Sequence, residues 1–258
     1  MKEDPEGLWR DPCAIQPNGD REYHVRRSSL DGSTNAVMFL ITGNVEVLES
    51  AWLYTAATKD MDWLRLHIEA LEGAASCIED QMDRYGRLWS DVYYDDQVIK
   101  DGRETFATAL AAHSFNLLSE LEHRLGRDEK EAHYKRVAAL LGSSLAKPLP
   151  MGYWDETNNR FVDWVDRSGA AHDHIHLLAN ILPVLFGYTS KEQEESFSRL
   201  WTNIWINSSD FLLFLRLISI SIRMPRSVMA DRTIYVRRVD IGAGMKRTGH
   251  GRKTARYC

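Results

Sequence analysis

Cysteine, proline and long apolar runs are all scarce in this chain, and each scarcity excludes a class of protein. Three cysteines in 258 residues, Cys13, Cys77 and Cys258, are too few and too scattered for a disulfide framework or a zinc knuckle. The first residues carry acids and a proline where a secretory signal has a basic stretch followed by an apolar run. We therefore expect a cytoplasmic protein without structural disulfides.

A long uninterrupted apolar segment and an overall positive charge are also missing. The most apolar stretch, residues 204–222, is broken by Asn207, Asp210 and Arg216, which makes it a poor membrane span. A formal net charge of −5 argues against a general binder of nucleic acid or of anionic membranes. We predict neither a nucleic acid nor a membrane as partner.

What the sequence does contain is helical periodicity. Apolar residues recur at steps of three and four over six stretches, which predict six helices: residues 33–58, 60–82, 104–125, 128–145, 173–186 and 190–201. Asp60 and Asp128 stand at the predicted N-caps of the second and fourth helices, and Gly126 follows the third as a C′ glycine. Residues 1–32, which contain three prolines and three glycines, predict an irregular lead-in.

Residues 152–166 interrupt the helical pattern. They alternate apolar and polar side chains around the pair Asn158-Asn159, which predicts a small β-hairpin. The order of long helix, short turn, long helix and longer loop occurs three times, and a single helical hairpin cannot bury its apolar stripes alone. We therefore predict an all-α toroid of helical hairpins with a β-hairpin insertion, in which the longer loops gather at one end.

The sequence changes character after Trp201. Residues 211–258 contain eleven Lys and Arg against two acids and show little periodicity. One interpretation is a nucleic-acid-binding arm. We favour another, that the reading frame is disrupted near residues 208–211, so that the tail is not selected sequence. The predicted organisation is a lead-in of residues 1–32, a helical domain of residues 33–205 and an anomalous basic tail of residues 206–258.

The connection of residues 86–97 concentrates chemistry between two predicted helices. It contains three aromatic residues and three carboxylates: Trp89, Tyr93, Tyr94, Asp91, Asp95 and Asp96. Aromatic rings stack on the apolar faces of a sugar, and a carboxylic acid protonates the leaving oxygen when a glycosidic bond is cleaved. The alternative is an ordinary loop with exposed acids and half-buried aromatic residues.

The β-hairpin and the segment after it contribute a second set of candidates. Trp154 and Trp164 either form a stacking platform for a sugar or cover the buried face of the hairpin. The three histidines of residues 172–176 suggest a metal cluster, but zinc wants a further ligand and neither a His-Glu-x-x-His pattern nor a partner cysteine is present. We therefore predict that Asp173 and His174 line a sugar site that contains no metal.

Several of these motifs together resemble the six-hairpin glycosidases, whose fold is an (α/α)6 barrel. The resemblance is carried by Asp31-Gly32-Ser33-Thr34-Asn35, Gly86-Arg87-Leu88-Trp89-Ser90-Asp91, Leu125-Gly126-Arg127-Asp128-Glu129, Tyr153-Trp154-Asp155-Glu156, Phe161-Val162-Asp163-Trp164-Val165-Asp166 and the run from Asn180 to Gly187. It spans residues 30–201 and is closest to bacterial proteins similar to the amylo-α-1,6-glucosidase part of glycogen-debranching enzymes and to α-L-rhamnosidases. Glucoamylases are more distant.

The resemblance implies an inverting glycoside hydrolase of carbohydrate metabolism that works without a cofactor. The family's Trp-x-Asp acid motif falls on Trp89-Ser90-Asp91, which implies that Asp91 is the proton donor. By a looser analogy with glucoamylases, whose acid lies in a pair of adjacent carboxylates, Asp95 or Asp96 takes that role. The implied substrate is an oligosaccharide or glycoside with an α-glucosidic or rhamnosidic bond.

Only about half of such a barrel is represented here, because the family has twelve helices and this chain has six predicted ones. The general base belongs to the second half, so the resemblance assigns no base and implies a truncated enzyme. An open half-toroid exposes the flanks of its first and last hairpins, and we therefore expect self-association.

Two other functions remain open. Sugar epimerases and polysaccharide lyases also use α/α barrels, and in this chain they would rely on His113 or His174 as proton shuttles. The third option is a non-catalytic helical-repeat module that binds carbohydrate or protein.

Overall fold

Helices dominate the computed structural model of this protein. It describes residues 3–4, 6–12, 14–23, 25–27, 35–37, 41–90, 100, 102–174 and 176–205. These ranges contain six helices: α1 (Ile41–Thr58), α2 (Met61–Glu79), α3 (Thr105–Arg124), α4 (Asp128–Ala146), α5 (Leu177–Leu185) and α6 (Lys191–Trp205). The mostly helical fold predicted from the sequence is confirmed, whereas the arrangement of the hairpins as a toroid stays a prediction. The predicted tail of residues 206–258 lies outside the described residues.

Short strands connect the helices. In chain order they are β1 (Ala14–Ile15), β2 (Arg21–Glu22), β3 (Val25–Arg27), β4 (Asn35–Val37), β5 (Trp89–Ser90), β6 (Gly102–Glu104), β7 (Trp154–Asp155), β8 (Arg160–Phe161), β9 (Trp164–Asp166) and β10 (Ala171–His172). β1–β2, β3–β4 and β7–β8 form antiparallel pairs, and an antiparallel sheet of four strands has the order β10-β9-β6-β5. The sequence did not predict this sheet, and it is the part of the fold that positions the candidate site.

Helix α3 is the centre of the packing. Fourteen of its twenty residues are buried, because α1, α2, α4 and α5 all pack against it. Small side chains such as Ala107, Ala111 and Ser114 on α3 let neighbouring helices approach closely. The main apolar core therefore lies between the hairpin α1–α2 and the hairpin α3–α4, as expected for helical hairpins that bury their stripes against each other.

A second, smaller core lies under the β-hairpin β7–β8. It contains Tyr153, Trp154, Phe161, Val162 and Val165, with Leu145 at the end of α4. The predicted hairpin is confirmed with its turn at the Asn pair, where Asn159 has a φ of 54° in the left-handed region that asparagine tolerates. The hairpin ends at Phe161, earlier than predicted, because β9 pairs with a different sheet.

Helix ends were predicted with mixed success. Asp60 caps α2 by accepting a hydrogen bond from the Trp63 N–H at 2.9 Å, and Gly126 has a φ of 70° after α3, as predicted. Asp128 was predicted as the N-cap of α4, which is wrong. It is the first helical residue, with Arg127 at the cap. Its carboxylate still favours the helix there, because acids in the first turn interact well with the helix dipole.

Two predicted helix starts are also wrong. The first helix was expected from residue 33, but residues 35–37 form β4, which pairs with β3, and α1 begins at Ile41. The fifth was expected from Asp173, but β10 pairs with β9 over residues 171–172 and α5 begins at Leu177. In both places strand pairing overrides the apolar spacing. The lead-in of residues 1–32 contains short strands as well.

The N-terminal segment is fixed to the first helical hairpin by the buried side chain of Asn44. Its Nδ2 donates to the carbonyl oxygens of Trp9 and Ala74, each at 2.9 Å, and its Oδ1 accepts from the Asp11 N–H at 2.7 Å. The Trp9 ring lies against Gly73 on α2, where an added Cβ would lie 2.4 Å from it. Residues 9–11 are therefore held across α1 and α2.

None of the described helices combines the length and the apolar composition that a bilayer crossing requires.

A buried pair of glutamates lies at the opposite end of α3 from the sheet. Glu122 is fully buried, and the Arg127 Nε lies 3.4 Å from its Oε2. Arg127 lies closer to Glu72 on α2, with 2.8 Å between its Nη2 and Glu72 Oε1, and Lys130 Nζ lies 3.5 Å from the same oxygen. Burial, and then the negative charge of Glu72, raise the pKa of Glu122 to about 7. A protonated Glu122 donates its O–H to Glu72 and so satisfies buried oxygens.

Glu122→Gln tests this arrangement. The folded pKa of Glu122 lies above its unfolded value, so the folded state binds the extra proton and wild-type stability falls as the pH rises from about 4.5 to about 7. We expect Glu122→Gln to raise the free energy of unfolding by about 1–3 kcal/mol at pH 8, with the gain vanishing near pH 4.5.

Urea denaturation at several pH values measures this, with Glu129→Gln on the exposed first turn of α4 as the matched control. A Glu122→Gln variant that is less stable than wild type at pH 8 would contradict the account.

Candidate functional site

The four-stranded sheet brings both ends of the predicted catalytic loop together. β5 pairs with β6 in the register Ser90↔Gly102, so the residues on either side of the segment 91–101 lie side by side. β6 in turn pairs with β9, with Glu104 opposite Trp164. The sequence predicted that the longer loops lie close together, and the pairing of these strands confirms this for the two loops to which they belong. The predicted residues Asp91, Tyr93, Tyr94, Asp95 and Asp96 lie outside the described residues.

Close approach of β6 to β9 depends on Gly102. An added Cβ at this position would lie 2.2 Å from the Val165 carbonyl oxygen and 2.8 Å from the Cα of Asp166. Both contacts are with backbone, which cannot move aside as a flexible side chain can. Glycine at this position therefore permits the register in which β6 joins the loop to the hairpin segment.

The strand register places the candidate side chains on two opposite faces, because successive side chains in a strand alternate. One face, here called the histidine face, carries Glu104, Trp164, Asp166 and His172, together with the following His174. The other, here called the arginine face, carries Trp89, Arg103 and Arg167. Trp89 and Trp164, both predicted to stack on a sugar, consequently lie on different faces of the sheet.

Trp164 is the centre of the histidine face. Its indole is stacked on the His172 ring, with centroids 4.0 Å apart and planes 2° apart, and the His174 ring lies nearly parallel at 5.6 Å. Trp164 itself is buried, whereas His174 is exposed. His174 is therefore the most exposed ring of this stack, and its role as a lining residue stays a prediction.

Asp166 orients His172. Its Oδ1 accepts hydrogen bonds from the N–H and the hydroxyl of Ser168 and from the Ala170 N–H, and its Oδ2 lies 2.9 Å from His172 Nε2. Hydrogen bonds from Ser168, and then from His172, hold the pKa of Asp166 well below its usual value. The ionised carboxylate thus fixes the β9–β10 turn. Because a carboxylate can only accept a hydrogen bond, His172 Nε2 carries a proton, and in a neutral His172 ring Nδ1 is then the acceptor.

A buried lysine lies beneath the histidine face. Lys100 is only 1% exposed, and its Nζ lies 2.9 Å from Asp163 Oδ1, 3.2 Å from Glu104 Oε1 and 5.7 Å from the Trp164 ring. Burial alone would lower the pKa of Lys100, but Glu104 and Asp163 raise it, so the ammonium stays charged. Two carboxylates against one ammonium leave this cluster with a net negative charge.

His176 belongs to the same end of the molecule but has a different role. It is the N-cap of α5, where its Nδ1 accepts from the Ala179 N–H at 3.2 Å. An Nδ1 that accepts carries no proton, so its 3.9 Å separation from Asp163 Oδ1 is not an ion pair. His176 therefore stabilises the start of α5.

The arginine face holds Trp89 in place. The guanidinium carbon of Arg167 lies 4.6 Å from the centroid of the Trp89 ring, and that of Arg103 lies at 5.4 Å. Both distances fit cation–π contacts. Arg103 Nε also donates to Asp83 Oδ2 at 2.7 Å, and Asp83 accepts from Arg87 as well. The cation–π contacts of Arg103 and Arg167 with Trp89 thus hold β5, the strand that leads into the predicted acid motif, in place.

Two further predicted residues are bound within the protein. Trp154 is buried edge-on against Phe161, with ring centroids 5.0 Å apart, which favours its role in covering the hairpin's inner face. Asp173 is exposed, and its carboxylate accepts from Arg160 at 2.7 Å.

Because His172 is in β10 and His176 caps α5, the two histidines are not one helical turn apart. Among the described residues no cluster of three or more potential ligands has a metal-binding arrangement.

His113, the other proposed proton shuttle, packs within the helical domain. Its ring lies flat on Phe186 after α5, with centroids 4.2 Å apart and planes 4° apart. The contact joins α3 to the end of α5. It supports a packing role for His113.

Sequence reasoning missed three residues of the site: Lys100, Arg103 and Glu104. The segment was assigned to a turn before a helix, and its pairing partners lie about sixty positions away in β9. Four of the five residues from Lys100 to Glu104 are charged and the fifth is Gly102, a composition typical of a polar turn, so only the long-range partners reveal the strand.

Comparison with known proteins adds two solved structures. A GH78 family rhamnosidase of Bacillus sp. GL1 has a TM-score of 0.55 at 15% identity, over 64% of this chain and 17% of the rhamnosidase. A rhamnosidase from Klebsiella oxytoca, solved with rhamnose bound, has a TM-score of 0.52 at 15% identity, over 69% of this chain and 33% of that one. No protein-family model matches the chain, and no curated protein does so significantly.

These similarities are similarities of fold. They show that this chain shares a mostly helical fold with part of each of these two rhamnosidases. The chain spans between about a sixth and a third of the length of the two rhamnosidases.

Lys100→Met tests the buried cluster. Removing the ammonium leaves Glu104 and Asp163 buried without their cation, and breaking such a pair costs about 3–5 kcal/mol of stability. We expect a loss of that size in urea denaturation at pH 7 and a smaller loss near pH 4, where the carboxylates can be protonated.

Lys135→Met is the matched control, because Lys135 pairs with Glu131 on an exposed helix surface and should change stability by less than about 0.5 kcal/mol. If both substitutions lowered the free energy of unfolding equally, the buried Lys100 cluster would contribute no more stability than an exposed ion pair, which would contradict the account.

Proposed function

We propose that this chain is part of an α/α-barrel glycoside hydrolase that cleaves an α-glucosidic or rhamnosidic bond by acid–base catalysis, with Asp91 as proton donor. The observation that carries the proposal is the register of β5, β6 and β9. It joins the strand leading into the Trp-Ser-Asp motif to the strand that bears Trp164 and its histidines. The fold similarity to two rhamnosidases supports the same class of reaction.

The charge of the histidine face suits a general acid. Among the described residues around this face, the carboxylates of Glu104, Asp163 and Asp166 outnumber the ammonium of Lys100, and nearby negative charge disfavours ionisation of a further carboxyl group. An acid placed there keeps its proton near neutral pH, as a proton donor must. The same negative charge stabilises the positive charge that develops on the sugar ring when the glycosidic bond breaks.

The three described carboxylates of this face have other tasks. Glu104 and Asp163 bind the Lys100 ammonium, and both oxygens of Asp166 accept hydrogen bonds from its own turn and from His172. A general base must approach a water molecule with an available oxygen. In our proposal the base is supplied by residues other than these three, and His174 binds a hydroxyl group of the sugar.

The sharpest test is Asp91→Asn in the full chain. We expect hydrolysis of an aryl α-L-rhamnoside or an aryl α-D-glucoside by the wild type, measured by release of the phenol, and a loss of about 100-fold or more in Asp91→Asn. Asp95→Asn and Asp96→Asn distinguish the looser assignment of the donor.

The control is Asp62→Asn, because Asp62 lies exposed on α2 and pairs only with Arg65 among its described neighbours. It should keep the wild-type rate. An Asp91→Asn variant with full activity would remove the donor assignment. A wild type that neither hydrolyses these glycosides nor binds rhamnose or glucose would overturn the proposed function.

We also propose that the chain associates with itself through the flank of its first hairpin. Leu53 on α1 and Leu66 on α2 are 55% and 79% exposed, which is unusual for leucines on packed helices. Static light scattering should show a mass above that of one chain at micromolar concentration, and Leu53→Lys together with Leu66→Lys should restore the mass of a monomer. A wild-type monomer throughout that range would contradict association.

A further inference from the structure

A groove of about 470 Å³ lies between α1, α2 and the N-terminal segment, and it shares no residue with the sheet described above. Its volume is in the range of pockets that bind small molecules. One end is formed by Asp11 and Glu46, and the other by Tyr54, Trp63 and His67. Because Glu46 and Tyr54 are eight residues apart on α1, the acidic and aromatic ends are separated by about 12 Å along the helix.

The acidic end is built by packing. Asp11 is brought onto α1 by the hydrogen bond from its N–H to Asn44 Oδ1, and its carboxylate lies so close to Gly43 that an added Cβ would be 2.9 Å from its Oδ2. Any side chain at residue 43 would displace this carboxylate. The groove therefore depends on the same contacts that hold the N-terminal segment across the first hairpin.

No Lys or Arg among the described residues makes an ion pair with Asp11, Glu46 or the adjacent Glu49. Burial, and then the charge of Glu46, raise the pKa values of both Asp11 and Glu49. The charges of the N-terminal amine and then of Arg21 lower the pKa of Asp11, but each does so by less than Glu46 raises it. Asp11 and Glu49 are half-buried and Glu46 is exposed. Carboxylates that repel one another in this way are stabilised by a cation bound between them.

The aromatic end is a cluster of three rings, in which His67 is stacked on Trp63 and Tyr54 is tilted against it. The Trp63 ring lies 4.5 Å from the His67 ring and 4.7 Å from the Tyr54 ring, measured between centroids. His67 Nδ1 lies 2.8 Å from the Trp63 carbonyl oxygen, which can only accept, so this nitrogen carries the proton. Apolar side chains, including Val47 and Leu71, line the wall between the two ends.

From this combination we propose that the groove binds a small organic cation, a primary amine or guanidinium carried on an apolar or aromatic body. The cationic group lies against Asp11 and Glu46, and the body lies along Val47 and Leu71 toward the ring cluster. Such a ligand neutralises the acids and covers apolar wall at the same time, which neither a neutral sugar nor an anion does.

Isothermal titration calorimetry with three compounds of one shape tests the proposal. Phenylbutylamine carries the cation, phenylbutanol is its neutral counterpart, and phenylbutyrate is the anion. We expect one molecule of phenylbutylamine to bind per chain, phenylbutanol to bind about tenfold more weakly, and phenylbutyrate to show no binding. The titrations are made at a concentration at which light scattering shows a monomer, since Leu53 and Leu66 lie on the same hairpin.

Substitutions locate the site. Asp11→Asn and Glu46→Gln should each weaken phenylbutylamine binding about tenfold. Glu69→Gln, an exposed acid on α2 outside the groove, should leave it unchanged. Ser50→Lys provides a variant that does not disturb the Asp11 contacts. Ser50 is exposed and lines the groove, so a lysine there occupies it with its own ammonium and should abolish binding.

Equal affinity for phenylbutylamine and phenylbutanol would overturn the proposal, because it would show an apolar groove without cation recognition. Unchanged binding in both Glu46→Gln and Ser50→Lys, with melting curves that show folded protein, would place the ligand elsewhere and overturn it too. Absence of wild-type binding at millimolar amine would do the same.

Discussion

The ammonium group of Lys100 is the interaction on which the sheet end of this molecule depends. It joins Glu104, which precedes α3, to Asp163, which lies 63 positions after Lys100 in the sequence and immediately before β9. The β6–β9 ladder continues that connection on the next residues. Without this link, the strand that leads into the acidic loop and the strand with Trp164 would have no reason to share a sheet, and neither contributes a complete site alone.

Charge is separated across the sheet. The arginine face holds Trp89 between two guanidinium groups, whereas the histidine face has an excess of carboxylates around one buried ammonium. A negative face beside an aromatic and imidazole stack favours a protonated carboxylic acid and a sugar ring that becomes positive in the transition state. The proposed function therefore rests on two separate observations, the strand register and the charges of named side chains.

Local signals predicted the helices well and the sheet hardly at all. Asp60 and Gly126 were found because capping and left-handed glycine depend on a few neighbouring residues. Strands of two or three residues carry no such signal, since their stability comes from partners that the local sequence does not show. The helix predicted from Asp173 illustrates this, because the two residues before it pair with β9 and α5 begins only at Leu177.

The candidate site could be predicted only in part for the same reason. Trp164 and His174 were chosen separately from residue type and lie in one ring stack, whereas Trp154, chosen on the same grounds, is part of the core. A buried lysine leaves no mark in the sequence that distinguishes it from an exposed one. Lys100 is recognised only once the two carboxylates that compensate it are seen.

A crystal structure of the full chain with rhamnose bound tests the central claim most directly. The account predicts that the sugar contacts His174 on the histidine face and that the Asp91 carboxyl group lies within hydrogen-bonding distance of its anomeric oxygen. An Asp91 carboxyl group directed into open solvent, with the sugar bound elsewhere on the protein, would contradict it.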